Sequence, residues 1–448
     1  MQTNSIFLSD LQLLHQIFCS EEEFSIYDPH ERLAGSGSQS KFLPTDENVC
    51  FNISANGSGN FKEMQFYFGS EKLVGMTKFY YVNNPDGTLR WLIPAEADAA
   101  SFLALYNSES LKAWLYKKLV RTVFSLGLKK YLMSGSFLMK PYMIIYVRQK
   151  YGIGNDEQFT LFTGTRGENR KVIIEINNGK QTTHFIKICF SESAKKNLKN
   201  EIDMLTTLNK YDFTTLSMPH VSQGRVTGTA KLSNVKPGIT IPASRITEIH
   251  LKALTELYAT HHETKIVLET AAWQTIENNL QWMYSEHPLI NDMDEFKTRR
   301  IIHLLGKLSA SLPIEEDVPV SVSHGDFTPW NMYMDSNRLY VYDWELAKNG
   351  IPMLFDLFHF VFQSQVLLHR KDFTDIKENI TQVLQTPMAQ SLCHKYDINI
   401  HLHYKLYLLF NISYYMRIYM NEKELLTQTH WMIDAWMDAL QDILQVEI

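Results

Sequence analysis

One stretch constrains this chain more than any other: Ser-His-Gly-Asp-Phe-Thr-Pro-Trp-Asn at 323–331, followed after two short apolar runs by Tyr-Asp-Trp-Glu at 342–345. Asp326 and Asn331 are separated by four residues, and a second acid, Asp343, follows an apparent hairpin. The runs 332–334 and 339–342 read as strands, and Asp335-Ser-Asn337 between them is a turn composition that folds the second run back beside the first. Asp343 is thereby carried back toward Asn331. Alone, either aspartate reads as a turn residue beside a strand; acid, amide and acid at these offsets argue for chemistry.

The order matches a catalytic loop followed by a metal-binding strand. In phosphoryl transfer one carboxylate accepts the proton of an attacking hydroxyl, while an amide oxygen and a second carboxylate hold Mg²⁺ against the phosphates. Asp326, Asn331 and Asp343 fit those roles in that order. His-Gly-Asp-Phe-Thr-Pro-Trp-Asn with the following Asp-Trp-Glu resembles the aminoglycoside phosphotransferase and choline kinase family, the small-molecule branch of the protein-kinase-like fold, over about 155–448. The resemblance implies His324 as a residue bracing the loop, Asp326 as catalytic base, and Asn331 and Asp343 as metal ligands. It also implies that Asp356 supports the loop by accepting backbone hydrogen bonds, with ATP and Mg²⁺ as cofactors.

A length of 448 residues suggests two or three domains, and a 45% hydrophobic, 12% aromatic composition can bury sizeable cores. The net charge of -6 argues against a general nucleic-acid binder, whose footprint is basic. Cys19, Cys50, Cys189 and Cys393 are widely spread, so neither a zinc site nor a disulfide framework is indicated, and a reducing cytoplasm is the expected home. The N-terminus lacks a basic region ahead of an apolar one, so no secretory signal is expected. The apolar stretch 404–420 is interrupted by Lys405, Asn411 and Arg417 and reads as a buried helix rather than a membrane span.

Residues 1–150 do not resemble the kinase-like fold and read as an accessory mixed α/β domain of unknown role. Strands are expected at 63–68, 76–82 and 89–94, the last after the turn Asn84-Pro-Asp-Gly87. From Ser108 the pattern turns helical, with Leu111, Leu115, Leu119 and Val123 on one stripe and most of the lysines and Arg121 off it. Such a basic amphipathic helix over 111–130 can lie on an anionic membrane. The favoured expectation is instead that the leucine stripe packs on its own domain.

A three-strand meander follows at 159–163, 171–176 and 184–189. Its first turn holds Gly164-Thr165-Arg166-Gly167, placed where backbone amides can approach phosphate oxygens. Lys187 lies inside the apolar Phe185-Ile-Lys-Ile-Cys189, and a buried ammonium needs an anionic partner. The next helix has Ala194, Leu198, Ile202, Leu205 and Leu208 on one stripe, and Glu201 falls within it. Lys187 and Glu201 are therefore expected to pair and to hold the α- and β-phosphates. Residues 221–235 supply two further strands, Lys236-Pro-Gly238 a break, and helices are expected at 244–261, 271–285, 294–312, 371–384, 401–420 and 425–444. By resemblance, backbone groups near 232–235 meet adenine, and Tyr414, Tyr415, Arg417, Asp434 and Asp438 are candidates to line an acceptor cleft.

The expected class is thus α+β: a bilobal protein-kinase-like fold with a small lobe at 151–236, a large helical lobe at 237–448 and the N-terminal domain before them. The expected activity is transfer of the ATP γ-phosphate to a hydroxyl of a small molecule, a sugar or sugar-like metabolite. The alternative is a nucleotide-binding pseudokinase acting through its N-terminal domain, against which the intact set of charged residues speaks. Asp-Trp-Glu in place of Asp-Phe-Gly, with no Ala-Pro-Glu segment after it, disfavours a protein kinase.

Overall fold

The computed structural model of the chain describes residues 10, 13–14, 16–18, 25–27, 49–54, 64–68 and 75–445, apart from 85, 98–99, 106–110, 165–168, 180, 237, 239, 242, 287–288, 291–292 and 423–424. The class is α+β, and the chain divides into two compact units: 1–202 with 221–234, and 203–220 with 235–448.

The first unit is organised on one antiparallel sheet. Its strands are β1 (Ser25–Tyr27), β2 (Val49–Ser54), β3 (Met64–Phe68), β4 (Thr77–Asn83), β5 (Leu89–Pro94), β6 (Gly135–Met139), β7 (Gln158–Phe162), β8 (Lys171–Asn177) and β9 (Thr182–Cys189). After β10 (Leu216–Ser217), which belongs to the second unit, β11 (Val221–Gln223) and β12 (Thr229–Ser233) complete it. Among the described residues the order is β1-β2-β3-β6-β4-β5-β7-β8-β9-β12-β11. The sheet runs unbroken past residue 150, because β5 pairs with β7 at Trp91↔Phe162 and Leu92↔Leu161. Period-two alternation explains this continuity. Leu92 joins a core with Phe159, Leu161, Ile174 and Ile186, whereas Trp91 and Ile93 join a second core with Phe102, Val120 and Phe124.

A buried acid ties the sheet to the N-terminal segment. Glu175 on β8 accepts from the hydroxyls of Thr182 at 2.6 Å, Thr160 at 3.0 Å and Ser101 at 3.0 Å, and from Asn177 Nδ2 at 3.1 Å. Burial still pushes its carboxyl up from the ordinary glutamate value against those four donors. The folded state therefore binds this proton more tightly than the unfolded state. The stabilising contribution is complete below the ordinary glutamate range and is lost as pH rises through the raised folded value. Glu175→Gln should remove that slope, and urea titrations of both proteins across the acid range would detect it; parallel pH dependences would exclude a titrating Glu175.

The second unit is helical, with helices Glu248–Thr260, Ala271–Glu286, Glu295–Ala310, Phe355–Gln363, Phe373–Leu384, Pro387–Lys395, Ile400–Tyr419 and Thr427–Gln445. Several begin where the chain supplies a cap: Asp294, Asp372, Thr386 before Pro387, and Asn399 each accept a backbone N–H of their helix's first turn. The 400–419 helix is buried as expected, Lys405 and Asn411 included. No described helix is long and apolar enough to cross a membrane. The strands β13 (His262–Ile266), β14 (Asp317–Ser323), β15 (Met332–Met334), β16 (Leu339–Val341) and β17 (Lys348–Pro352) form two small sheets, β13-β14-β17 and β10-β16-β15. His261 follows the last residue of its helix and His262 opens β13, so the adjacent histidines serve a helix end.

Candidate active site

The loop after β14 is fixed by one buried carboxylate. Asp356, in the first turn of the 355–363 helix, accepts from Ser323 Oγ at 2.9 Å and Gly325 N at 3.0 Å on Oδ1, and from His324 N at 2.8 Å on Oδ2. This is the support that the family resemblance implies for it. Gly325 has φ +81, and a Cβ there would lie 2.4 Å from Leu346 O, so only glycine fits this close approach of two backbone segments.

His324 is fully buried and braces the loop from its other side. Its Nδ1 accepts the Asp326 N–H at 3.2 Å, which leaves Nε2–H to donate to Tyr342 O at 2.9 Å. Tyr342 N in turn donates to Asn331 O at 2.8 Å. The hairpin β15–β16, registered Met332↔Val341 and Met334↔Leu339, therefore returns to the loop just before Asp343. Asp343 sits at φ 63, ψ 58, a left-handed conformation that aspartate tolerates better than most residues.

Asp326 is held at both oxygens. Asn331 Nδ2 donates to Oδ2 at 2.7 Å and to the Asp326 backbone O at 3.1 Å, which leaves the Asn331 carbonyl oxygen as that side chain's available acceptor. His359 Nε2 lies 3.3 Å from Oδ1, and His359 Nδ1 lies 3.2 Å from Asn411 Oδ1. Sequence reading missed His359. The signal was present: a histidine and, on another helix, Asn411 sit within otherwise apolar buried faces, where polar groups need partners. The Asn411 Nδ2 is buried without a partner. Turning that amide over hands its N–H to His359 Nδ1 and leaves His359 Nε2–H for the Asp326 carboxylate.

Tyr415 stacks on the His359 ring at 6.2 Å and 7°, and Tyr414 meets Tyr415 edge-on. Burial, then the charges of Glu345 and Asp326, push the Tyr414 hydroxyl up from its ordinary value. Two of the other candidate acceptor residues are engaged elsewhere. Arg417 donates to Asn279 Oδ1 at 3.0 Å and lies over Trp282, and Asp434 pairs with Lys297. Burial, then Asp434, pushes the Asp438 carboxyl up. Of the backbone groups expected to meet adenine, Asn234 N already donates to Thr183 O at 2.9 Å and Val235 N to the Tyr342 hydroxyl at 3.1 Å.

In the first unit Lys187 and Glu201 meet as the periodicities require, with Nζ 2.8 and 2.7 Å from the two carboxylate oxygens. Lys187 lies opposite Ile173 and Ala230 in the sheet, and both members of the pair are buried. Breaking such a pair strands a buried charge. Lys187→Met should therefore destabilise the fold by about 3 kcal/mol, and Glu201→Leu added to it should recover most of that loss. Additive destabilisation in chemical denaturation would show that the partners do not act as a unit. Gly164 has φ +70, and a Cβ there would lie 2.1 Å from Lys171 O. Thr165, Arg166 and Gly167 lie outside the described residues.

Among the described residues no group of three or more His, Cys, Asp or Glu side chains forms a self-sufficient metal cage. Asn331 and Asp343 offer oxygen donors only, a set that suits Mg²⁺ completing its shell with phosphate and water.

Residues 165–365 match the phosphotransferase enzyme family model. Among curated proteins none matches this sequence. Solved structures similar to this chain include ADP-bound aminoglycoside phosphotransferase APH(2'')-Ib, 14% identical, covering 68% of this chain and 97% of its own, with a TM-score of 0.40. The amicoumacin kinase hAmiN is 11% identical over 68% and 97% at a TM-score of 0.43. Ethanolamine kinase from Plasmodium vivax is 13% identical over 76% and 96% at 0.45.

Proposed function

We propose that this chain transfers the terminal phosphate of Mg·ATP to a hydroxyl of a small molecule of the sugar or sugar-like kind. The observation that carries the reading is the Asp326 carboxylate held between Asn331 and His359, in a loop anchored by Asp356. Phosphoryl transfer asks little covalent chemistry of a protein and much positioning. Asp326 would accept the hydroxyl proton while its plane is fixed by the two donors. Asn331, through its carbonyl oxygen, and Asp343 would hold Mg²⁺, whose charge supports the phosphates. Lys187, oriented by Glu201, would contact the α- and β-phosphates, and Gly164 to Gly167 would lie against them. The buried thiols of Cys189 and Cys393 accord with a reducing compartment such as the cytoplasm.

Purified protein with Mg·ATP should form ADP above its acceptor-free background when offered sugars or sugar alcohols. Stimulation by aminoglycosides or amino alcohols alone would keep the reaction and replace the acceptor class. Tight Mg·ATP binding with no stimulation across the panel would favour a nucleotide-binding module.

A further inference from the structure

The helix Leu111–Ser125 does not pack as its leucine stripe leads one to expect. Among its described side chains, at 115–125, the buried ones are Lys117, Val120 and Phe124, and the last two join the core around Trp91 and Phe102. Leu115 and Leu119 lie on the opposite side and are 53% and 55% exposed. The surface continues through Tyr116, Leu126, Leu128 and Tyr131, the last 73% exposed. Six of the sixteen large hydrophobic side chains exposed among the described residues thus fall within 115–131. Single exposed leucines are ordinary; a cluster of this density marks an interaction surface.

Charge selects the occupant. Residues 111–140 contain seven lysines and arginines and no acid, in a chain whose net charge is -6. Lys118 and Arg121 are exposed on the helix that carries Leu115 and Leu119, and Lys130 lies over the Tyr131 ring. Aliphatic side chains, tyrosines with apolar bodies and polar tips, and interspersed cations are the chemistry of a surface lying in the headgroup region of an anionic bilayer. We propose that the 115–131 surface docks this protein peripherally on anionic lipid membranes. The apolar groups enter the interface while the cations meet lipid phosphates and carboxylates. A protein partner or a second copy would have to supply a complementary acidic rim, which a leaflet of anionic lipid supplies at any orientation. The inference stands independently of the phosphotransferase reading.

The test is flotation of the full chain with vesicles of phosphatidylcholine alone and with about 30% phosphatidylserine added. Wild type should float with the anionic vesicles only and lose binding as salt is raised. Lys118→Gln/Arg121→Gln/Lys130→Gln should lower the partition coefficient roughly 100-fold, at about five-fold for each cation removed. Leu115→Ser/Leu119→Ser/Tyr131→Ser should lower it comparably with its charges intact. All six residues are solvent-facing, and thermal midpoints near wild type would verify folding. Absence of binding to anionic vesicles, or equal binding to neutral ones, would overturn the proposal. So would a self-associated wild type that ignores vesicles and becomes monomeric in the leucine variant, which would assign the surface to a second copy.

Discussion

Asp326→Ala is expected to leave Mg·ATP affinity within a few-fold of wild type while turnover falls by roughly 10²-fold or more, the scale of losing a positioned base. The expectation follows from where the carboxylate sits. Its two oxygens are engaged by Asn331 and His359, and its backbone N–H is fixed by His324, so its orientation is built into the fold. Asp326→Asn is the sterner variant. An asparagine must present an N–H to one of two donors, so the loop is disturbed as well as the charge removed. Alanine leaves the donors unfilled without opposing them, and the pair of variants separates loss of the base from loss of the loop. Wild-type-like turnover in Asp326→Ala would remove Asp326 from the chemistry.

The second large effect is expected at Asp343. Alanine would confound two losses, because the φ of 63 at this position strains an ordinary side chain by about 1–2 kcal/mol. Asparagine tolerates the same conformation and keeps the shape, so Asp343→Asn isolates the charge. Mg²⁺-dependent nucleotide binding should weaken by on the order of 100-fold in Asp343→Asn, because a hard cation depends on its anionic oxygen ligand. Asn331→Ala should cost less at the metal, though it also frees Asp326 Oδ2. Calorimetric titration of ATP at several Mg²⁺ concentrations gives the ranking; an unchanged Mg²⁺ dependence in Asp343→Asn would rule out the ligand role.

The elements were legible where local chemistry decides them. The turn after Asn84 and the mostly apolar run Leu89–Pro94 that Pro94 closes mark β5, and the mixed stripe of the 192–208 helix marks Glu201 as partner to Lys187. The loop at 323–331 was legible because glycine, acid and amide are required at fixed offsets. What stayed hidden depends on tertiary contact. The joining of β5 to β7 across 150 is a long-range pairing that no local pattern announces. His359 gains meaning only once the 355–363 and 400–419 helices bring it between Asp326 and Asn411. On the 111–125 helix, hydrophobic periodicity identified an apolar stripe and assigned it to the interior. The core instead takes Val120 and Phe124, whose aromatic contact with Phe102 fixes the helix by a narrower face.

The most direct measurement of the central claim follows the γ-phosphate itself. Wild-type protein incubated with γ-labelled ATP, Mg²⁺ and a hydroxylated small-molecule acceptor should yield a labelled phosphomonoester of that acceptor by ³¹P NMR. The same incubation with Asp326→Ala, which still binds nucleotide, should yield almost none. Label appearing only as inorganic phosphate across sugars, sugar alcohols and amino alcohols, or equal product from the variant, would contradict the account.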